Sequence, residues 1–109
     1  MADHTFVITT EAVLWEMLNY FAAPASRNRA MRLHRGCHGR PETGVERFDL
    51  EMMEAALRLY EERADKAWGI TDCLSFVTMQ SRGITEVLTV DHHFEQAGFT
   101  ALMLKMPNL

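Results

Sequence analysis

The chain has 109 residues, 48% of them apolar, and a formal net charge of −4. Its length fits one domain with a substantial core, so we expect a single domain over residues 1–109. No apolar run reaches the roughly 20 residues of a membrane span, the start lacks the layout of a signal peptide, and an acidic chain does not attract nucleic acid over its whole surface. We therefore expect a cytoplasmic protein, with Cys37 and Cys73 as free thiols.

The first predicted elements are a short strand and an apolar helix. Residues 6–8 are an apolar strand candidate, and Thr10 is well placed to cap a helix that runs to about Phe21. Apolar side chains leave this helix almost no polar face, so we expect it to be largely buried. Pro24 should end it, because proline does not continue a helix interior.

An arginine-rich helix is predicted next, from Ser26 toward Gly36. Residues 27–40 hold five of the eleven Lys and Arg residues: Arg27, Arg29, Arg32, Arg35 and Arg40. Two interpretations stay open at this point. Either the arginines form a solvated helix face, or they supply the local positive charge that an acidic chain needs to contact RNA phosphates.

The rest of the chain alternates strands with helices. Short strands are predicted over residues 45–50, 86–90 and 100–104, the last of them at a sheet edge. An amphipathic helix is predicted over residues 50–63. This alternation indicates an α/β fold with a mainly parallel sheet.

A helix predicted over residues 72–81, between Thr71 as N-cap and Gly83 as stop, brings two carboxylates together. Ten helical residues and five strand residues both span about 15 Å, so this helix laid against the next strand places Asp72 beside Asp91. In open α/β sheets, ligands bind beyond the carboxyl ends of the strands, where both side chains are expected. The alternative is that the strand simply ends at a surface turn.

Glu16 is the third candidate acid. It lies within the apolar helix that follows the first strand, and a helical side chain tilts back toward that same sheet edge. Three buried carboxylates are costly unless they share a cation, and hard oxygen ligands suit Mg²⁺ or Mn²⁺ rather than zinc. The alternative is a polar stripe that Glu16 forms with Asn19.

The histidines suggest two further sites. The sequence DHH at residues 91–93 resembles the motif of the DHH phosphoesterases, but the other aspartate motifs of that family are not visible. His34, Cys37 and His38 suggest zinc, yet no second ligand pair follows at a suitable spacing. A solvated helix end is therefore the favoured interpretation of those three residues.

Two motifs in the second half resemble those of PIN-domain proteins, particularly the VapC-type toxins of toxin–antitoxin pairs. Residues 65–76 read D-K-x-W-x-x-T-D-C-x-S-F, and residues 88–99 read L-T-x-D-x-H-F-x-Q-A-G-F. Upstream, TTEAVLWEMLNYFA at residues 9–22 resembles the helix that bears the family's catalytic glutamate. The similarity extends from about Phe6 to about Leu104.

The resemblance implies a PIN-like α/β/α sandwich and the activity of a Mg²⁺-dependent endoribonuclease. The catalytic, metal-binding acids of the family match Glu16, Asp72 and Asp91. Asp65 is a weaker candidate for a metal ligand, and Mn²⁺ is the other suitable cation. His93 matches the family's His-Phe pair, where packing or substrate positioning is expected. RNA and an antitoxin protein are the implied partners, and Arg27, Arg29, Arg32 and Arg35 are the expected RNA contact.

The start of the chain departs from the family pattern. Family members open with a strand that ends in a first catalytic aspartate, whereas only residues 1–5 precede the matching segment here, and Asp3 does not match that aspartate. We therefore expect the usual first strand to be absent from residues 1–109, with a fragment, a misassigned start and a naturally shortened relative as the open explanations, and cleavage to be impaired. The absence of that strand should expose apolar sheet edges, which predicts a homodimer or larger assembly. The alternative function is a non-catalytic module that binds an antitoxin or a sister subunit.

Overall fold

The computed structural model of the chain describes residues 6–89 and 91–105. The chain forms two compact units, Met1–Phe48 and Asp49–Leu109. In the described residues, each unit holds one pair of parallel strands and at least two helices. None of the described helices is both long and apolar enough to cross a membrane. The single domain expected over residues 1–109 stays a prediction.

The first unit contains β1 (Val7–Thr10), α1 (Glu11–Tyr20), α2 (Pro24–Gly39) and β2 (Thr43–Glu46). The two strands run parallel, in a register that pairs Val7 with Thr43. A parallel pair needs a long crossover between its strands, and α1 with α2 supplies it. The predicted parallel pairing is confirmed here.

Thr10 and Pro24 mark the starts of the two helices. The Thr10 hydroxyl oxygen accepts a hydrogen bond from the backbone N–H of Val13 at 3.1 Å, which confirms the predicted cap. The predicted helix start at Ser26 is wrong, because α2 begins at Pro24. Proline suits a first helical turn, where its missing N–H has no partner to lose.

α1 is less buried than its sequence predicts. Leu14 is its only buried residue, whereas Trp15 is 55% exposed and Tyr20 is 83% exposed. Within its unit the helix packs mainly against β1 and α2. Two neighbours do not cover a helix that is apolar on nearly every side, so the prediction of a largely buried helix is wrong.

The second unit contains α3 (Leu50–Glu62), α4 (Ile70–Arg82), β3 (Glu86–Val87), α5 (His92–Gln96), β4 (Thr100–Ala101) and a 3-10 helix (Leu102–Lys105). α3 packs along α4, and β3 pairs in parallel with β4. α5 lies in the connection between these two strands. The predicted parallel pairing is confirmed in this unit as well.

The strands of the second unit are shorter than predicted. Of the strand expected over residues 86–90, the structure forms the first two residues, and Val90 lies outside the described residues. β4 ends at Ala101 because the next residues enter the 3-10 helix. The strand expected over residues 45–50 is also misplaced, since the Asp49 carboxylate accepts from a backbone N–H at 2.8 Å and so caps α3.

Glycines flank α4 at both ends. Its N-cap is Gly69 rather than the predicted Thr71, and the Asp72 carboxylate accepts a hydrogen bond from the Gly69 N–H at 3.1 Å. The predicted stop at Gly83 is confirmed, with a φ of 67°. Glycine adopts this left-handed conformation without the steric cost that a Cβ atom brings.

Phe76 is the centre of the second unit's core. It is fully buried, and its ring centroid lies 4.9 Å from Trp68, 4.9 Å from Phe94 and 5.6 Å from Phe99. Trp68 also donates its indole N–H to the side chain of Gln96 at 3.0 Å. Because Phe94 and Gln96 belong to α5, these contacts hold α5 against α4.

Candidate metal centre

Asp72 and Asp91 each lie at the start of a helix. Asp72 is in the first turn of α4, where its carboxylate accepts from the Gly69 N–H. Asp91 is the N-cap of α5, and its carboxylate accepts from the backbone N–H of His93 at 2.9 Å. These hydrogen bonds fix the orientation of both carboxylates.

The imidazole of His93 lies between the two carboxylates. Its Nδ1 is 3.1 Å from Asp72 Oδ2 and 3.4 Å from Asp91 Oδ1. One ligand atom from each of the three side chains lies within 4.8 Å of the other two. The side chains are 22% exposed for Asp72, 43% for Asp91 and 32% for His93, so the cluster is open to solvent.

This set of donor atoms fits a divalent cation. Two carboxylates held close together repel each other unless a positive charge lies near both. Carboxylate oxygens are the ligands that Mg²⁺ and Mn²⁺ prefer. The structure thus brings Asp72 and Asp91 together as the helix and strand lengths predict, and their role as metal ligands stays a prediction.

His93 is the member of this cluster that the sequence did not identify as a ligand. The family resemblance led us to expect packing or substrate positioning from it. In the structure its ring contacts Asp72 across the unit, while its backbone N–H bonds to the Asp91 cap. Its position two residues after a helix-capping aspartate is the feature of the sequence that points to this arrangement.

Asp65 is engaged elsewhere. Its exposed carboxylate lies 3.0 Å from the Arg63 guanidinium and 3.9 Å from Lys66 Nζ. The hydrogen bond from Arg63 holds the pKa of Asp65 below its ordinary value. A metal-binding role for Asp65 stays a prediction that this geometry does not support.

Glu16 belongs to the first unit. It lies within α1, and its side chain is exposed, as is that of Asn19. Exposure of both fits a polar stripe on the helix, and it also leaves the Glu16 carboxylate accessible to a cation. The role of Glu16 as a third acid stays a prediction.

The arginines of α2 divide into two groups. Arg27 donates twice to the carbonyl oxygen of Ala22, at 3.1 and 2.8 Å, and so fastens the start of its own helix. Arg29, Arg32 and Arg35 are exposed and recur at every third residue, which places them along one side of α2. These three are the better candidates for contact with a phosphate backbone.

Comparison with known proteins identifies the family. The family model of the PIN domain matches residues 2–100. Among solved structures, the fold is similar to that of VapC20 from Mycobacterium tuberculosis, a sarcin-ricin loop cleaving toxin, with a TM-score of 0.80 and 21% identity over 91% of this chain and 75% of that chain. No curated protein matches the sequence significantly. The predicted PIN-like α/β/α fold is confirmed, and the chain belongs to the PIN-domain family.

Proposed function

We propose that the chain is a cytoplasmic, VapC-like endoribonuclease of the toxin–antitoxin type that depends on Mg²⁺ or Mn²⁺. The observation that supports this best is the cluster of Asp72, Asp91 and His93, whose ligand atoms lie within 4.8 Å of one another. Membership of the PIN-domain family gives this cluster its chemical context. The fold likeness to a toxin that cleaves the sarcin-ricin loop favours RNA as the substrate.

The residues of the second unit that hold the cation in this proposal are Asp72 and Asp91, and the family resemblance implies Glu16 as a further acid. When bound, the cation makes a water molecule more acidic and offsets negative charge on the phosphate oxygens. The N–H groups of Gly69 and His93 keep the two aspartates in place. The imidazole of His93 pairs with the Asp72 carboxylate and holds it toward Asp91.

We also infer that cleavage is slow. The family pattern implies four acids around the cation, and the residues matched here supply three. Fewer ligands hold the cation less firmly, and a reacting group misplaced by about 1 Å costs on the order of 10²-fold in rate.

A cleavage assay tests the proposal, with a sarcin-ricin loop hairpin as the first RNA and Mn²⁺ as the cation. We expect weak cleavage by the wild type that disappears in the Asp72→Asn and Asp91→Asn variants. Asp65→Asn is the matched control, because this aspartate lies in the same unit and outside the cluster. Cleavage that survives both Asp72→Asn and Asp91→Asn would show that another group performs the chemistry.

A second candidate function is a non-catalytic module that binds an antitoxin or a sister subunit. The exposed apolar side chains of the first unit favour it, among them Trp15 at 55%, Tyr20 at 83% and Leu33 at 55% exposure. Exposed apolar surface of this kind often marks a protein interface. Such a module leaves RNA intact with every cation, and it binds its partner equally well as the Asp72→Asn variant.

A further inference from the structure

A second group of ligand side chains lies in the first unit. Glu11 is the first residue of α1, and its two carboxylate oxygens face two histidines of α2. Oε1 lies 2.6 Å from His34 Nε2, and Oε2 lies 2.9 Å from His38 Nε2. The imidazole ring centroids are 4.7 Å apart. One side-chain atom from each residue thus converges on one small region.

The local fold explains this convergence. His34 and His38 are four residues apart on α2, so they lie one above the other on the same side of the helix. The short connection at residues 21–23 sends α2 back along α1, which brings the end of α2 to the start of α1. The hydrogen bond with His34 holds the pKa of Glu11 below its ordinary value. The carboxylate is therefore ionised at neutral pH.

The donor atoms distinguish this group from the Asp72 cluster. Two imidazole nitrogens and one carboxylate oxygen are a familiar ligand set for Zn²⁺, and two histidines four residues apart on a helix are a familiar spacing for it. The Asp72 cluster is richer in oxygen and suits harder cations. We propose that Glu11, His34 and His38 form a second metal site, selective for Zn²⁺ or a similar transition-metal ion.

The surroundings leave this site accessible. The side chains are 14% exposed for Glu11, 20% for His34 and 34% for His38. Together with Trp15, Arg47 and Phe48 they line a cleft of about 390 Å³. Three protein ligands leave a further coordination position for water or a small anion, and the cleft gives such a molecule access to it. A metal ion here also joins α1 to α2, so we expect it to stabilise the first unit.

Metal binding in a variant without the other cluster tests the proposal. The full chain carrying Asp72→Asn and Asp91→Asn is titrated with Co²⁺, whose visible absorption reports nitrogen and oxygen ligation, and then with Zn²⁺ in competition. We expect one equivalent of Co²⁺ to bind, Zn²⁺ to displace it, and the thermal midpoint to rise when Zn²⁺ is added. Because this background lacks the aspartates of the proposed nuclease site, its result does not depend on the proposed function.

Further substitutions identify the ligands. Two variants are made in this background, one with Glu11→Gln and one with both His34→Gln and His38→Gln. Each should abolish the Co²⁺ absorption at micromolar metal. His92→Gln is the matched control, because His92 is an exposed histidine paired with Glu95 in the second unit, and it should leave the absorption unchanged. No absorption in the parent background, or absorption that survives loss of both His34 and His38, would overturn the proposal.

Chemical modification provides a test that needs no ligand variant. Diethyl pyrocarbonate modifies free imidazole nitrogens, and mass spectrometry locates the modified residues. With Zn²⁺ present, we expect His34 and His38 to be protected while His92 stays reactive. Equal modification of all three with and without Zn²⁺ would mean that Glu11, His34 and His38 are joined by hydrogen bonds alone, and would also overturn the proposal.

Discussion

At the residue scale, the cation affinity of the second unit should depend on Asp91 far more than on Asp65. Asp91 faces both His93 and Asp72, whereas Asp65 is exposed and paired with Arg63. We expect calorimetry to show weak Mn²⁺ binding that Asp91→Asn abolishes, because an amide lacks the charge that holds a hard cation. Asp65→Asn should leave the affinity within about twofold, the small effect typical of a solvent-exposed ion pair. Equal losses in the two variants would contradict this assignment.

The sequence predicted only part of each residue cluster, for a physical reason. The proximity of Asp72 and Asp91 is predictable because the rise per residue of helices and strands is nearly constant, so the lengths of the two elements locate their ends. Contacts between distant side chains have no such regularity. No zinc ligand follows His38 at a regular spacing, and Glu11 lies 23 residues before His34 and joins the histidines only through the packing of α1 on α2.

At the element scale, Gly83 after α4 should tolerate alanine less well than Gly36 within α2. Its φ of 67° is strained for any residue with a Cβ atom, so Gly83→Ala should lower the free energy of unfolding by about 1–2 kcal/mol. Gly36 is the matched control, because it lies within α2 and a Cβ there meets nothing within 4 Å. Gly36→Ala should be neutral or stabilising by up to about 1 kcal/mol. Urea denaturation measures both, and the opposite order would contradict the prediction.

A further prediction for α2 concerns its exposed arginines. If Arg29 and Arg32 contact phosphate, replacing both with Gln should flatten the slope of log affinity for RNA against log salt by about 1.5–2 units. Fluorescence anisotropy at several salt concentrations measures the slope. Arg58→Gln is the control, since Arg58 is an exposed arginine of α3. An unchanged slope in the double variant would leave the arginines as a solvated helix face.

Two helix ends were predictable from local sequence, whereas the helix starts expected at Ser26 and Thr71, the burial of α1 and the strand ends were not. Thr10 and Gly83 act on the residues next to them, so their effect is visible in a short stretch of sequence. The exposure of Trp15 depends instead on how many elements surround α1. β4 stops at Ala101 although apolar residues continue beyond it, because those residues enter the 3-10 helix.

At the scale of the whole molecule, we predict self-association. The apolar side chains of Tyr20 and Leu33 are 83% and 55% exposed, and burying such surface is favourable by about 25 cal/mol per Å². Sedimentation should show a homodimer or larger assembly that Tyr20→Glu with Leu33→Glu dissociates. Leu88→Glu is the control, because Leu88 is 62% exposed in the second unit. A compact wild-type monomer at micromolar concentration would contradict the prediction.

The distribution of the two tryptophans gives each unit its own fluorophore. Trp15 lies in the first unit and is 55% exposed, whereas Trp68 lies in the second and is 6% exposed. The variants Trp15→Phe and Trp68→Phe therefore each report the unfolding of one unit by intrinsic fluorescence. If residues 1–109 form a single cooperative domain, as we expect, each variant has one denaturation midpoint. Its fluorescence, which follows one unit, and its circular dichroism, which follows both units, then give the same value. A fluorescence midpoint that departs from the circular dichroism midpoint of the same variant would mean that the two units melt independently, and that Zn²⁺ held by Glu11, His34 and His38 stabilises the first unit alone.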